Sequence, residues 1–276
     1  MNAALLEPPA ARGLSDAEFT QFQKLLHRLA GIHLAPEKKA LVCGRLNKRL
    51  RHYGLASYGE YLRLLASGRE AQEVQTAVDL LTTNETYFFR EPKHFALLRD
   101  RILPARRAGA PFRIWSAACS SGEEPYSLAM LLADCLGDAP WDIVASDIST
   151  RVLAQARTGH YAIERADNIP GPYLKAFCLK GVGPQDGSFL IERSLRSRID
   201  FRQVNLNERL PQLGSFDVIF LRNVMIYFDV ATKREVVQRL LGALRPGGHL
   251  IVGHSESLNG ISDHVQPVAP SVYRKP

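Results

Sequence analysis

From Phe112 onward the chain alternates short β-rich runs with helical ones, and this rhythm limits the fold more than any other feature. "FRIWSA" precedes a helical run at Pro125–Leu136, and "WDIVAS" precedes one at Thr150–Arg157. "RIDFRQV" follows, then "FDVIFL" before Thr232–Leu244, then "GHLIVG" and a last run, "SVYRK". Strands separated by helices predict βαβ crossovers and a mostly parallel sheet, the α/β class. Ligands of such sheets lie beyond the carboxyl ends of the strands. "GVGPQDGSFLIERS" and the residues after it, Arg193–Val204, break the rhythm. Their Gly/Pro turn and alternating residues predict a small antiparallel insert at about 180–200.

The earlier part of the chain reads differently. "SDAEFTQFQKLLHRLAG" opens on Ser15 with Glu18 three residues on, a capping-box pattern, and stops at Gly31. "PEKKALVCGRLNKRLRHYG" runs from Pro36 to Gly54 with Val42, Leu46 and Leu50 in one row. "SYGEYLRLLAS" and "EAQEVQTAVDLLTT" continue the helical spacing. The expected organisation is a loose Ala/Pro-rich start at 1–13, a helical domain at 14–81, a connecting and active-site segment at 82–111, and the α/β domain at 112–276. The first twenty residues lack the pattern of a secretory signal, and no apolar run is long enough to span a bilayer. The four cysteines form no C-x-x-C pair, which argues against a zinc site and for a reducing, cytoplasmic setting. The net charge of +7 allows an anionic partner or simply a solvated surface.

The turn after the first strand, Ala118-Cys119-Ser120-Ser121-Gly122, is built from small residues. A ligand can approach its backbone amides and the positive end of the following helix. It holds one glycine, so the dinucleotide pattern G-x-G-x-x-G is not met. Glu123 and Glu124 come next and would attract a cationic group rather than a phosphate. Asp147 ends the second strand, where an acid can accept two hydrogen bonds from a ribose diol. A small turn, a carboxylate for an amine and a diol acceptor together describe S-adenosylmethionine. The competing reading is local: Ser121 and Glu124 also form an S-x-x-E box, and Asp147 could cap the next helix. Asn205 and Leu206 follow the third strand, where an amide could read adenine. Asn223 and Val224 follow the fourth, beside the expected transfer position. The Pro-Pro signature of base-amine methylases is missing from "RNVM".

"LTTNETYFFREPKHF", "WSAACSSGEEPYSLAM", "ASDIS", "FDVIFLRNVMIYFD" and "LRPGGHLIVGHSES" resemble, in order and spacing, the chemoreceptor glutamate O-methyltransferase (CheR) family. The resemblance runs from about Phe19 to Tyr273. It implies a Rossmann-like, SAM-dependent methyltransferase domain with a small antiparallel β insert, preceded by a small all-helical domain. The implied activity is protein-glutamate O-methylation, which yields γ-methyl esters and S-adenosylhomocysteine and serves chemosensory adaptation in bacteria.

The positions that match the family's cofactor site are Asn84, Thr86, Arg90, Glu124, Asp147, Asn205, Leu206, Asn223 and Val224. Glu123, beside Glu124, could exchange roles with it. "TNETYFFR" is expected to lie over the cofactor and join the two domains. Arg90 is expected to steer the acceptor carboxylate, and Tyr227 to stand beside the transferring methyl. No metal is expected.

The implied partner is the cytoplasmic helical bundle of a methyl-accepting chemoreceptor, with contact to the membrane only through it. Lys38, Arg45, Arg49 and His52, at helical spacing, are the expected docking residues. In some members the β insert captures a receptor's carboxyl-terminal peptide as an added strand. An RNA methyltransferase and a non-catalytic SAM-binding protein are the rivals. The first lacks a nucleic-acid module, and the intact "TNETYFFR" and "RNVMIYF" argue against the second.

Overall fold

The computed structural model describes residues 13–107 and 109–276, so the expectation of a loose start at 1–13 falls almost wholly outside the described residues. The chain divides into two compact units, one ending at Thr83 and the other starting at Asn84.

The first unit is helical: α1 (Asp16–Ala30), α2 (Lys39–His52), α3 (Tyr58–Ala66) and α4 (Ala71–Leu81). Ser15 accepts from the Glu18 amide while Glu18 accepts from the Ser15 amide, so the reciprocal cap starts α1 where the sequence places it. Gly31 ends it in the left-handed conformation at φ 70°. A single 3-10 turn, Pro36–Lys38, leads into α2. Val42, Leu46 and Leu50 lie on one face of α2 and are completely buried with Phe22 and Tyr61. Each such aliphatic side chain contributes roughly 1.5–3 kcal/mol.

The second unit is built on a seven-stranded sheet of order β6-β2-β1-β7-β8-β10-β9. Its strands are β1 (Phe112–Ser116), β2 (Trp141–Asp147), β6 (Ile199–Gln203), β7 (Phe216–Leu221), β8 (Leu244–Val252), β9 (Gln266–Ala269) and β10 (Val272–Arg274). The first five in spatial order pair in parallel; β10 and β9 add antiparallel at one side. β1 and β7 are covered on both faces and therefore read as nearly continuous apolar runs. Helices α5 (Pro92–Leu97), α6 (Glu123–Leu136), α7 (Thr150–Thr158), α8 (Gly171–Phe177), α9 (Arg193–Arg196) and α10 (Val230–Ala243) complete the unit. The chain moves outward from β1 through β2 to β6, then returns to the opposite flank of β1 as β7. That reversal opens a crevice at the carboxyl ends of β1 and β7.

The insert begins earlier than the expected 180–200. A three-stranded antiparallel sheet, order β3-β5-β4, is formed by β3 (His160–Ala162), β4 (Cys178–Lys180) and β5 (Ser188–Ile191). Ile199–Gln203, within the "RIDFRQV" run read as the third strand, is an outer parallel strand of the main sheet and not part of the insert. The reason is length: "HYA" is too short to show a period of two. The insert supports the site directly. Tyr161 on β3 is buried and its hydroxyl donates to the Ser121 carbonyl at 2.7 Å, while Phe88 packs edge-on to its ring.

Candidate active site

The turn after β1 is held in a conformation that few residues adopt. Ser120 has φ 50° and Gly122 φ 99°. A Cβ on Gly122 would lie 2.8 Å from the Tyr161 hydroxyl and 2.9 Å from the Ala156 Cβ, so both the backbone and the space require glycine. Among the described residues five that are not glycine have positive φ, and four of them, Phe89, Glu91, Ser120 and Asn223, lie at these strand tips. Such clustering marks sites where surrounding contacts impose the backbone.

Asp147, at the end of β2, is buried and oriented by two main-chain amides. Ser120 donates to Oδ2 and Ser149 to Oδ1, each at 2.9 Å. The cap of α7 is Ser149, whose side chain accepts from Val152, so Asp147 does not serve as that cap. Nor do Ser121 and Glu124 form a box: Ser121 Oγ donates to Glu123, and α6 has Gly122 at its N-cap, with no side-chain cap.

The two adjacent acids have different surroundings. Glu123 is completely buried, engaged by Arg165 and Ser121. Glu124 lies at the strand tips, where Ser116 Oγ at the end of β1 donates to Oε1 at 2.6 Å and Arg222 Nη1 donates to Oε2 at 2.9 Å.

The segment from Asn84 to Glu91 is stitched across these tips. Ser120 Oγ donates to the Asn84 carbonyl at 2.7 Å, Arg151 reaches the Asn84 side chain, and Arg165 donates to the Thr86 carbonyl at 3.0 Å. Thr86 is buried. The Phe89 amide donates to Ser127 on α6. Arg90 is half-buried; its Nη1 donates to the Glu85 carbonyl at 3.0 Å, and its guanidinium lies 5.6 Å from the Tyr87 ring centre. Its own carbonyl accepts from Arg222.

Arg222 and Glu91 were not among the residues singled out by sequence, yet they organise this end of the site. Glu91 Oε2 pairs with Arg222 at 3.1 Å, and Oε1 accepts from Asn223 Nδ2 and the His254 amide. Burial alone would raise the Glu91 pKa, but Arg222, the His254 amide and Asn223 hold it below the usual carboxylate value. The Asn223 amide donates to Glu256 Oε2 at 2.8 Å, as does that of Gly253 at 2.7 Å. The one sequence signal was a lone arginine closing the apolar run "FDVIFL".

Glu91, His94 and His254 bring ligand-type atoms within 4.8 Å of one another. The Glu91 carboxylate is already engaged three times, and the adjacent guanidinium opposes a dication there.

The remaining expected residues differ in how they are linked. Asn205 follows β6, but its amide closes its own loop: Nδ2 donates to Glu208 at 2.9 Å and Oδ1 accepts from the Asn207 amide. Leu206 is buried and its carbonyl accepts from Arg239. Val224 and Tyr227 are half-buried on the 3-10 turn after β7, where the Tyr227 amide donates to the Val224 carbonyl.

Two of the expected docking residues are engaged inside the helical unit. Arg45 Nη1 donates to the carbonyls of Leu80 and Thr82, closing the end of α4. Arg49 pairs with the buried carboxylate of Glu73, which also accepts from Tyr61 and Tyr53. Helical spacing alone could not distinguish these two from a solvent-facing row, because Glu73 and the end of α4 are distant in sequence. Lys38 and His52 are exposed.

The all-alpha domain model of CheR methyltransferases matches residues 17–82, and their SAM-binding domain model matches residues 84–273. The chain belongs to the CheR methyltransferase family. Among curated proteins, chemotaxis protein methyltransferase 2 of Pseudomonas aeruginosa is 46% identical over 93% of this chain and 92% of its own length. The chemotaxis protein methyltransferase of Escherichia coli K12 is 43% identical over 98% of this chain and 94% of its own. That of Salmonella typhimurium is 42% identical, with 94% and 90% covered.

The chain is therefore a SAM-dependent methyltransferase with a helical CheR domain before its catalytic unit. The residues present suit that cofactor. Two carboxylates, Glu124 and Asp147, border a turn of small residues; Glu124 is met by Ser116 and Arg222 and Asp147 by two main-chain amides, and a carboxylate oxygen has a further lone pair with which to accept from a ligand donor. No helix among the described residues is long and apolar enough to cross a membrane.

Proposed function

We propose that this chain methylates specific glutamate side chains in the cytoplasmic helical bundle of a chemoreceptor, giving γ-methyl esters. The observation that carries this reading is likeness to chemotaxis protein methyltransferases over both units at 42–46% identity. When bound, S-adenosylmethionine supplies a methyl group on a sulfonium, ready to pass to an oxygen nucleophile.

Asp147 would hold the ribose diol and Glu124 the amine. Leu206, together with Asn205, would border the adenine. Asn223, Val224, Asn84 and Thr86 would complete the pocket. Arg90 would steer the incoming carboxylate and Tyr227 would stand beside the transfer position. A glutamate is already ionised at neutral pH, so no side chain has to act as a base and no metal is required. The residues contribute by in-line placement, which can supply several kcal/mol of a barrier. Arg90 has five N–H donors, and releasing the Glu85 carbonyl would let its fork meet a carboxylate with two bonds.

In the docking reading Lys38 and His52 remain as surface residues. The outer edge of β4, with Leu179 and Val182 exposed beside it, would accept a receptor's carboxyl-terminal peptide as an added strand. The test is transfer of label from methyl-labelled S-adenosylmethionine to receptor-bearing membranes, followed by alkali. Release of volatile methanol identifies a carboxyl ester. Label that survives alkali, or no transfer, overturns the proposal.

A further inference from the structure

We infer that Arg222 is a positioning residue that fixes both the cofactor-facing carboxylate Glu124 and the main chain from which Arg90 projects. The inference rests on the roles proposed above for Glu124 and Arg90. Arg222 follows β7 directly, and its side chain is 2% exposed. An arginine so deeply buried must have its charge and donors met. Nη1 donates to Glu124 Oε2 at 2.9 Å, Nη2 donates to the Arg90 carbonyl, and Glu91 Oε2 lies 3.1 Å from the guanidinium. The ring of Phe95 lies below, 5.9 Å from the guanidinium carbon.

These partners come from three places in the chain. Glu124 belongs to the first turn of α6, Arg90 and Glu91 to the overlying segment, and Arg222 to the tip of β7. The planar fork therefore ties the cofactor side of the crevice to the acceptor side in one rigid unit. Lysine could keep the charge but has no fixed fork with which to meet all three. Glu91 has φ 59°, and its carboxylate bonds to Asn223 and the His254 amide as well. The left-handed turn that aims Arg90 is thus held from the same point. Arg222 would touch neither the transferring methyl nor the acceptor; it would act through residues that do.

The experiment is a double-mutant cycle on the full chain. Arg222→Lys, Arg90→Ala and the double variant are compared with wild type in receptor methylation at saturating substrates. Affinity for S-adenosylhomocysteine is measured by calorimetry, and thermal unfolding is recorded for each. Misplacement of reacting groups by about 1 Å lowers turnover on the order of 100-fold. Arg222→Lys should lower kcat by about that factor and weaken S-adenosylhomocysteine binding.

In the Arg90→Ala background, Arg222→Lys should cost far less in kcat, because the group it positions is gone. A purely structural role would give the same factor in both backgrounds, and that result would overturn the inference. Should Arg222→Lys fail to fold, Glu91→Gln removes one anchor of the guanidinium isosterically and is run through the same cycle, with the same two outcomes. Failure of the receptor reading is separable. A wild-type protein that makes no ester on receptors refutes that reading, whereas unchanged S-adenosylhomocysteine affinity in Arg222→Lys refutes the positioning of Glu124.

Discussion

Removing the Arg49 guanidinium should destabilise the helical unit rather than merely alter its surface. The Glu73 side chain is 2% exposed and that of Arg49 is 24% exposed. Arg49 donates twice to Glu73, and Tyr61 and Tyr53 add their hydroxyls. Losing one partner of a buried pair costs about 3–5 kcal/mol. Here the two hydroxyls remain and Arg49 is partly solvated, so the lower end applies, about 3 kcal/mol. For a unit of this size that is about 12–24 °C in Tm.

The assay is calorimetry of full-length Arg49→Met, with helical circular dichroism to identify the transition. Replacing both partners, Arg49→Met with Glu73→Leu, should recover part of the loss, since no charge is then left buried although the Tyr61 hydroxyl loses its acceptor. The acid dependence gives a second check. Burial raises the Glu73 pKa, but its hydrogen bonds with Arg49, Tyr61 and Tyr53 outweigh that and hold it below the ordinary value. A depressed carboxylate stabilises the fold above its unfolded pKa and ceases to do so as pH falls through its folded value. The difference between wild type and Arg49→Met should therefore shrink below pH of about 4. An unshifted transition in Arg49→Met, or a double variant no more stable than the single, would refute the reasoning.

Three further outcomes follow from the same structure. Gly122→Ala should lose about 2 kcal/mol or more, together with S-adenosylhomocysteine binding, because its backbone is left-handed and its Cβ would collide with Tyr161 and Ala156; chemical denaturation and calorimetry read both. His94 is buried, faced by Arg222, Glu91 and His254, and its pKa is pushed down to about 4, chiefly by burial and by Arg222. A histidine neutral in the fold contributes stability that declines as pH drops from about 6.5 toward 4; denaturation midpoints over that range should fall more steeply in wild type than in His94→Gln, and parallel slopes would exclude His94 as the source. Lys38→Glu should slow receptor methylation at low salt, with the effect fading at high salt and Tm unchanged; an unaltered rate would remove Lys38 from the docking reading.

Local chemistry made much of this legible. The capping box at Ser15 and Glu18, the stop at Gly31 and the row Val42–Leu46–Leu50 are interactions within one or two turns, so adjacent residues suffice to specify them. The strand–turn–helix from Phe112 to Leu136 and the strand end at Asp147 follow equally from apolar period and small residues. Helix boundaries moved by a residue or two: the Asp229 cap starts α10 at Val230 rather than Thr232, and α6 starts at Glu123, straight after Gly122, rather than at Pro125.

Residue order alone specified a helical domain and a mostly parallel sheet with a turn of small residues at the end of its first strand. Which charges meet was settled by packing between distant segments. Arg222 reaches Glu124 and Arg90 across 98 and 132 residues, and Arg49 reaches Glu73 across 24. The same holds for the division of labour between Glu123 and Glu124, which are neighbours with identical side chains. One is sealed against Arg165 and the other opens at the strand tips. No local pattern encodes such pairings. They are set by how distant segments pack, because a buried charge must find its partner wherever the fold brings one.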